Sequence, residues 1–203
     1  MRRHRLTPRR RAPLPQTGFT LIEVMIAMFI LAVGLLSLLA LFAQGVASMQ
    51  FAQEDMIAKQ KAQEALESVY AARNTQQITF DQIRNVSDPS GTGIFLDGWQ
   101  NMLEPGPDGL VGTADDGTSP NPPCPNTKLE CVVLPGPDGL LGTADDVYLP
   151  LSNFQRQILI GPFFNADGSI NPDLRQITVT IRYSTINMQA RQYSVVTYVS
   201  SYR

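Results

Sequence analysis

Twelve residues occur twice in this chain, thirty positions apart: PGPDGLVGTADD at Pro105–Asp116 and PGPDGLLGTADD at Pro135–Asp146, differing only at Val111 against Leu141. Each copy sets one aspartate ahead of an adjacent pair: Asp108 before Asp115 and Asp116, then Asp138 before Asp145 and Asp146. The glycines between them let a short loop curl until its ends meet. Three carboxylates brought to one point repel unless a cation joins them. An all-oxygen donor set suits a hard ion such as Ca2+, with backbone carbonyls completing about six to eight ligands. Carbonyls near Pro105, Thr113, Pro135 and Thr143 are further candidate donors. The expected chemistry is calcium binding at one or both loops, against the plainer alternative of two solvated Gly/Asp turns. The spacing is not that of an EF-hand.

Other chemistry is scarce. The sole histidine, His4, lies among Arg2, Arg3, Arg5, Arg9, Arg10 and Arg11. Without that leader the chain has no imidazole, which excludes Ser-His-Asp and Cys-His catalysis and every histidine-based metal site. No GxxxxGK[ST] phosphate loop occurs. The acids sit in turn-like tracts and form no evident catalytic pair, so the chain is expected not to be an enzyme. No acid precedes Glu23, and beyond residue 18 ten basic residues face eighteen acidic ones. A basic leader thus precedes an acidic body, and an acidic body argues against nucleic acid as a partner.

The aspartate loops belong to a body tethered by a long apolar segment. Val24–Ala43 contains twenty residues without a charge, about 30 Å of helix at 1.5 Å per residue and enough to cross a bilayer. The arginines before it place the leader in the cytoplasm and the body outside. A secretory signal ending at Ala40, Ala43 or Ala47 is the alternative. Glu23 stands at the start of this segment, where a carboxylate is costly near hydrocarbon.

Gly18-Phe19-Thr20-Leu21-Ile22-Glu23 followed by the apolar run resembles the leader-cleavage and methylation motif of type IV prepilins and type II secretion pseudopilins. That resemblance implies cleavage between Gly18 and Phe19 by a prepilin peptidase, N-methylation of Phe19, and retention of the helix as anchor and assembly stalk. It also implies single-pass insertion in the inner membrane with a periplasmic body, then transfer into a pilus or pseudopilus through an assembly platform. Glu23 would pair with the Phe19 amine of a neighbouring subunit, since a buried carboxylate needs a charged partner; alternatively it marks a helix entrance at the positive end of the dipole. Major pilins often carry a proline in this segment, whereas none occurs here from Phe19 to Asp88. That departure favours a minor pilin or pseudopilin. Leu31–Leu41 is similar to minor prepilins described as type IV pilus modification proteins. The aspartate loops resemble the calcium loop of major type II secretion pseudopilins, although here there are two, placed mid-domain.

The elements that must hold these residues follow from periodicity. Ala58, Ala62, Ala65, Leu66, Val69 and Ala72 recur at three- and four-residue spacing and mark one helical face. A single helix from about Thr20 to Arg73 is therefore expected, with residues 19–43 as the membrane half and 44–73 as the amphipathic half after a leader at 1–18. Residues 74–203 form the β-rich body. Short strands are expected at Gly93–Leu96, Cys131–Leu134 and Gln157–Ile160. Stronger alternation marks Gln176–Tyr183 and Ala190–Tyr202, with a hairpin turn at INMQAR. Helix on a small antiparallel sheet gives an α+β, pilin-like fold. Cys124 and Cys131, in CPNTKLEC between the repeats, are expected to pair in an exported chain. Two reduced thiols are the alternative.

The function expected is a minor type IV pilin or pseudopilin, a structural and assembly subunit whose partners are other pilin subunits, the prepilin peptidase and N-methyltransferase, the assembly platform and the membrane. A membrane-anchored, calcium-dependent binding or adhesion module is the competing expectation.

Overall fold

The computed structural model describes residues 18–120, 124–125, 127–184 and 190–202. The leader through residue 17 and most of the INMQAR turn lie outside the described residues. Residues up to Val46 and residues from Ala47 onward form two compact units.

One helix, α1 (Leu21–Asn74), runs through both. Its start has a local cause: the Thr20 hydroxyl accepts a hydrogen bond from the Glu23 amide at 3.3 Å, so Thr20 acts as N-cap. In the first unit every residue from Leu21 to Val46 is exposed. The helix has a window of mean hydropathy 2.8 and is long and apolar enough to cross a membrane. Phe29, Leu36 and Phe42 each leave about two thirds or more of their surface uncovered, a state that requires lipid or other apolar helices around them.

In the second unit α1 turns Ala58, Ala62, Ala65, Leu66, Val69 and Ala72 inward, the six residues the spacing marks. Four alanines let the helix backbone lie close to the sheet, where side-chain burial does the stabilising. That sheet has the order β1 (Gln100–Asn101), β4 (Phe154–Phe164), β5 (Ile170–Ser184), β6 (Ala190–Ser200), antiparallel throughout. Ile177, Val179, Ile181 and Tyr183 of β5 face the helix and are buried. Tyr183 stacks on Phe154 with ring centroids 5.3 Å apart. The Tyr70 hydroxyl ties the helix to β6 through Thr197 at 2.7 Å and the Tyr198 carbonyl at 3.0 Å.

A separate hairpin pairs β2 (Cys131–Leu134) with β3 (Val147–Pro150) and carries the second aspartate loop at its tip. Here the structure differs from the sequence-based expectation in several places, among them β5, which starts at Ile170 rather than Gln176, and the short β1, which was not among the expected strands. Gly93–Leu96 is not a strand but a single bridge from Phe95 to Asn85. β4 extends beyond Gln157–Ile160 in both directions, because Phe154, Arg156 and Ile158 continue its inward face. β3 was not expected at all. The architecture is the α+β, pilin-like one: a long N-terminal helix packed on an antiparallel sheet.

Candidate functional sites: the N-terminal segment and the duplicated aspartate loops

Phe19 is exposed ahead of α1, and Glu23 lies in the helix's first turn. A carboxylate there meets the unpaired N–H groups of the helix start and is favoured by them. The Thr20-x-x-Glu23 spacing is a helix-start signal that sequence reading passed over, though it was available in the motif.

The two aspartate loops fold alike. Gly109 and Gly112 have φ of 69° and 81°, against 71° and 85° for Gly139 and Gly142, a left-handed backbone that glycine adopts without strain. Asp108 Oδ1 accepts from the Leu110 amide at 2.9 Å, and Asp138 Oδ1 accepts from Leu140 at the same distance. The Thr113 hydroxyl donates to Asp115 Oδ1 at 2.7 Å, and Thr143 donates to Asp145 at 2.6 Å. The Gly112 and Gly142 amides each donate to the second acid of the pair, Asp116 and Asp146, at 2.7 Å. A Cβ at Gly106 or Gly136 would fall 2.2–2.3 Å from the Asp115 or Asp145 carboxylate or carbonyl, so neither position admits a side chain.

Each loop therefore brings its first two acids together. Asp115 Oδ2 lies 3.4 Å from the Asp108 amide and Asp145 Oδ2 lies 3.3 Å from that of Asp138. Burial raises the Asp108 pKa, and the Asp115 charge adds to that rise. The third acid accepts from a glycine amide, and in the first loop the Thr113 hydroxyl lies within 3.4 Å of it as well. Asp116 turns toward Arg156, 3.8 Å away, with a nearly sealed side chain, and burial pushes its pKa up to about 6 against the pull of the Gly112 amide and Arg156. Among the described residues no three His, Cys, Asp or Glu side chains gather as a ready metal site. The donors present in each loop, two carboxylates, a threonine hydroxyl and turn carbonyls, are all oxygen and match the preference of a hard cation.

Burial separates the copies. Leu110 and Val111 of the first are 1% and 3% exposed, whereas Leu140 and Leu141 of the second are 63% and 65% exposed. The first loop is part of the core; Gly112 sits against Ile158 and Phe95. Beneath it runs a buried ion chain that sequence reading missed. Lys61 meets Glu130 at 2.8 Å, and Glu130 meets Arg156 at 2.8 Å. Arg156 was visible as a cation on the inward face of an alternating strand, between Phe154 and Ile158, where a buried acid must answer it.

Cys124 and Cys131 are both free thiols in the structure. They are close enough to interact: burial first, then hydrogen bonding with Cys124, pushes the Cys131 thiol up to about 12.

Residues 14–39 match the family model described as Prokaryotic N-terminal methylation motif. The chain carries a prepilin-type methylation motif. The match covers the segment that ends in Gly18-Phe19, the first-turn Glu23 and most of the exposed apolar helix. Comparison with curated proteins and with solved structures gives no match.

Proposed function

We propose that the protein is a minor type IV pilin or pseudopilin, a non-enzymatic structural and assembly subunit. The observation that carries this reading is the methylation motif at residues 14–39, joined without interruption to a helix whose apolar half is wholly uncovered. In this reading a prepilin peptidase cuts between Gly18 and Phe19 on the cytoplasmic side and Phe19 is N-methylated, which leaves its amine charged. The chain waits in the inner membrane with its body in the periplasm. It then leaves lipid for a bundle of like helices in a filament, where Glu23 meets the Phe19 amine of a neighbouring subunit. That pairing sets register, because a carboxylate without a partner in such a bundle is strongly destabilised.

The aspartate loops bind Ca2+ in this account, through Asp108 and Asp115 in the first and Asp138 and Asp145 in the second. Asp116 and Asp146 brace the loop backbone. The second loop is the freer of the two, since no ion pair engages Asp146 among the described residues. Cys124 and Cys131 join as a disulfide after export. A second reading, a membrane-anchored calcium-dependent binding module, draws support from the exposure of that second loop.

Glu23→Ala separates the two readings. A pilin subunit with this change still inserts and folds but disappears from sheared filaments. A binding module keeps its surface location and its ligand regardless of residue 23.

A further inference from the structure

The chain has two cysteines, and the folded body closes over them. Cys124 is 1% exposed. Cys131 opens β2 next to Glu130 and is half-buried. The backbone beside it is tied to two other segments. The Glu130 amide donates to the Met102 carbonyl at 2.8 Å, and the Glu130 carbonyl accepts from the Leu151 amide at 2.9 Å. One turn of chain earlier the Glu104 amide donates to the Lys128 carbonyl at 2.9 Å, and Leu103 bridges Leu129. The Glu130 side chain adds a buried clasp, with Lys61 of α1 on one oxygen and Arg156 of β4 on the other, each at 2.8 Å. Swinging Cys131 outward breaks these bonds first.

Forming a disulfide needs a thiolate that can reach an incoming disulfide, so its rate follows thiolate fraction and access. The folded body withholds both. A thiol sealed in the interior is inert however close its partner lies, and the burial that raises the Cys131 pKa removes thiolate from it. The open chain has neither obstacle. CPNTKLEC keeps the cysteines near each other in sequence, and a shorter loop closes at lower entropic cost.

We propose that the bridge is made on the open chain, by a protein disulfide donor met as the body is exported, and that the Lys61–Glu130–Arg156 clasp closes over it afterwards. The inference rests on the disulfide reading given above and adds its order and its partner. One cysteine thiolate attacks the donor's disulfide, giving a mixed disulfide and one donor thiolate. The other cysteine then attacks its partner's sulfur and releases the second donor thiolate. Two cysteine thiols are oxidised, the donor's disulfide is reduced to two thiols, and the two cysteine protons end on them. Such a donor must grip extended chain, because the folded body presents it with no reachable pair.

The test uses the full chain in detergent, prepared with both thiols reduced, and follows thiol loss after oxidised glutathione is added. The folded chain is expected to react about a hundredfold more slowly than the same chain in strong urea, because only the opened fraction reacts. Urea added below the unfolding midpoint is expected to raise the folded chain's rate in step with opening. A reduced chain with no melting transition supports the same order, since folding then waits for the bridge. A folded chain that oxidises within about tenfold of the strong-urea rate, and is indifferent to low urea, overturns the proposal. Ready alkylation of both cysteines in protein taken from an oxidising compartment removes the bridge itself, and the proposal with it, whatever the two rates are.

Discussion

Arg156 on β4 donates to Glu130 at 2.8 Å, with both side chains almost wholly sealed from water, and Lys61 of the helix reaches the other Glu130 oxygen at 2.8 Å. This chain of charges links the helix, the segment before β2 and the first aspartate loop, three elements that hydrophobic packing alone would leave free to slide.

Among the described residues, Glu130→Ala leaves Lys61 with only the half-exposed Glu64, and Arg156 with only Asp116 at 3.8 Å, as counter-charges. Removing one partner of a buried pair costs about 3–5 kcal/mol. Urea denaturation should show a loss of that size. Replacing Arg156 and Glu130 together with Met and Leu should cost much less than Glu130→Ala alone.

Leu110 and Leu140 make a matched pair of probes. Leu110→Ala empties a filled core position and should cost about 2–5 kcal/mol. Leu140→Ala, in the same turn but in solvent, should fall within about 0.5 kcal/mol of the parent. Equal losses would mean that the second loop is buried in the isolated protein.

Calcium should raise the melting temperature of the full chain. At a free concentration about a hundredfold above Kd the stabilisation is about 2.7 kcal/mol, or several degrees for a body of this size. Asp145→Asn should remove the second loop's share and Asp115→Asn the first's. A melting temperature indifferent to calcium and to chelator would remove the metal from the account.

Acid should destabilise the body partly through Asp88. Hydrogen bonds from the Ser90 hydroxyl and amide, then from Arg84, lower its pKa from 3.8 to about 2. The unfolded chain therefore binds that proton first as pH falls. The stabilisation is present in full above pH 3.8 and is lost between about 3.8 and 2. Asp88→Asn should flatten that part of the acid-denaturation profile and lower stability at neutral pH, where the contribution is otherwise present in full.

Cys124 and Cys131 should resist alkylation in protein taken from an oxidising compartment until a reductant is added. The closed bridge is expected to add about 2–2.5 kcal/mol, since the loop it spans is short. Ready alkylation without reductant would leave the pair as thiols in the mature protein.

Much of this fold was legible in residue spacing. The alanine-rich face from Ala58 to Ala72 and the Ile177-to-Tyr183 alternation named both sides of the core interface, because burial selects one face at the period of each element. The aspartate repeat was equally plain, but its geometry was not. Near-identical local sequence gives matching turns, and only tertiary contacts bury Leu110 while exposing Leu140. The same limit hid the setting of Asp116, which accepts from the Gly112 amide as Asp146 does from Gly142 but alone of the two faces a buried arginine, Arg156. β3 escaped notice because Val147–Pro150 is short, exposed on both faces and ends in proline, so it shows no periodicity of its own. At the N-terminus the motif itself carries the information, in residue types rather than in any packed arrangement.

The most direct test of the central claim is intact-mass and N-terminal peptide analysis of the protein from membranes and from sheared surface material. The account predicts a mature chain that begins with N-methylated Phe19 in both fractions. A chain that retains Arg2–Gly18, or one that begins beyond Ala43, would contradict it.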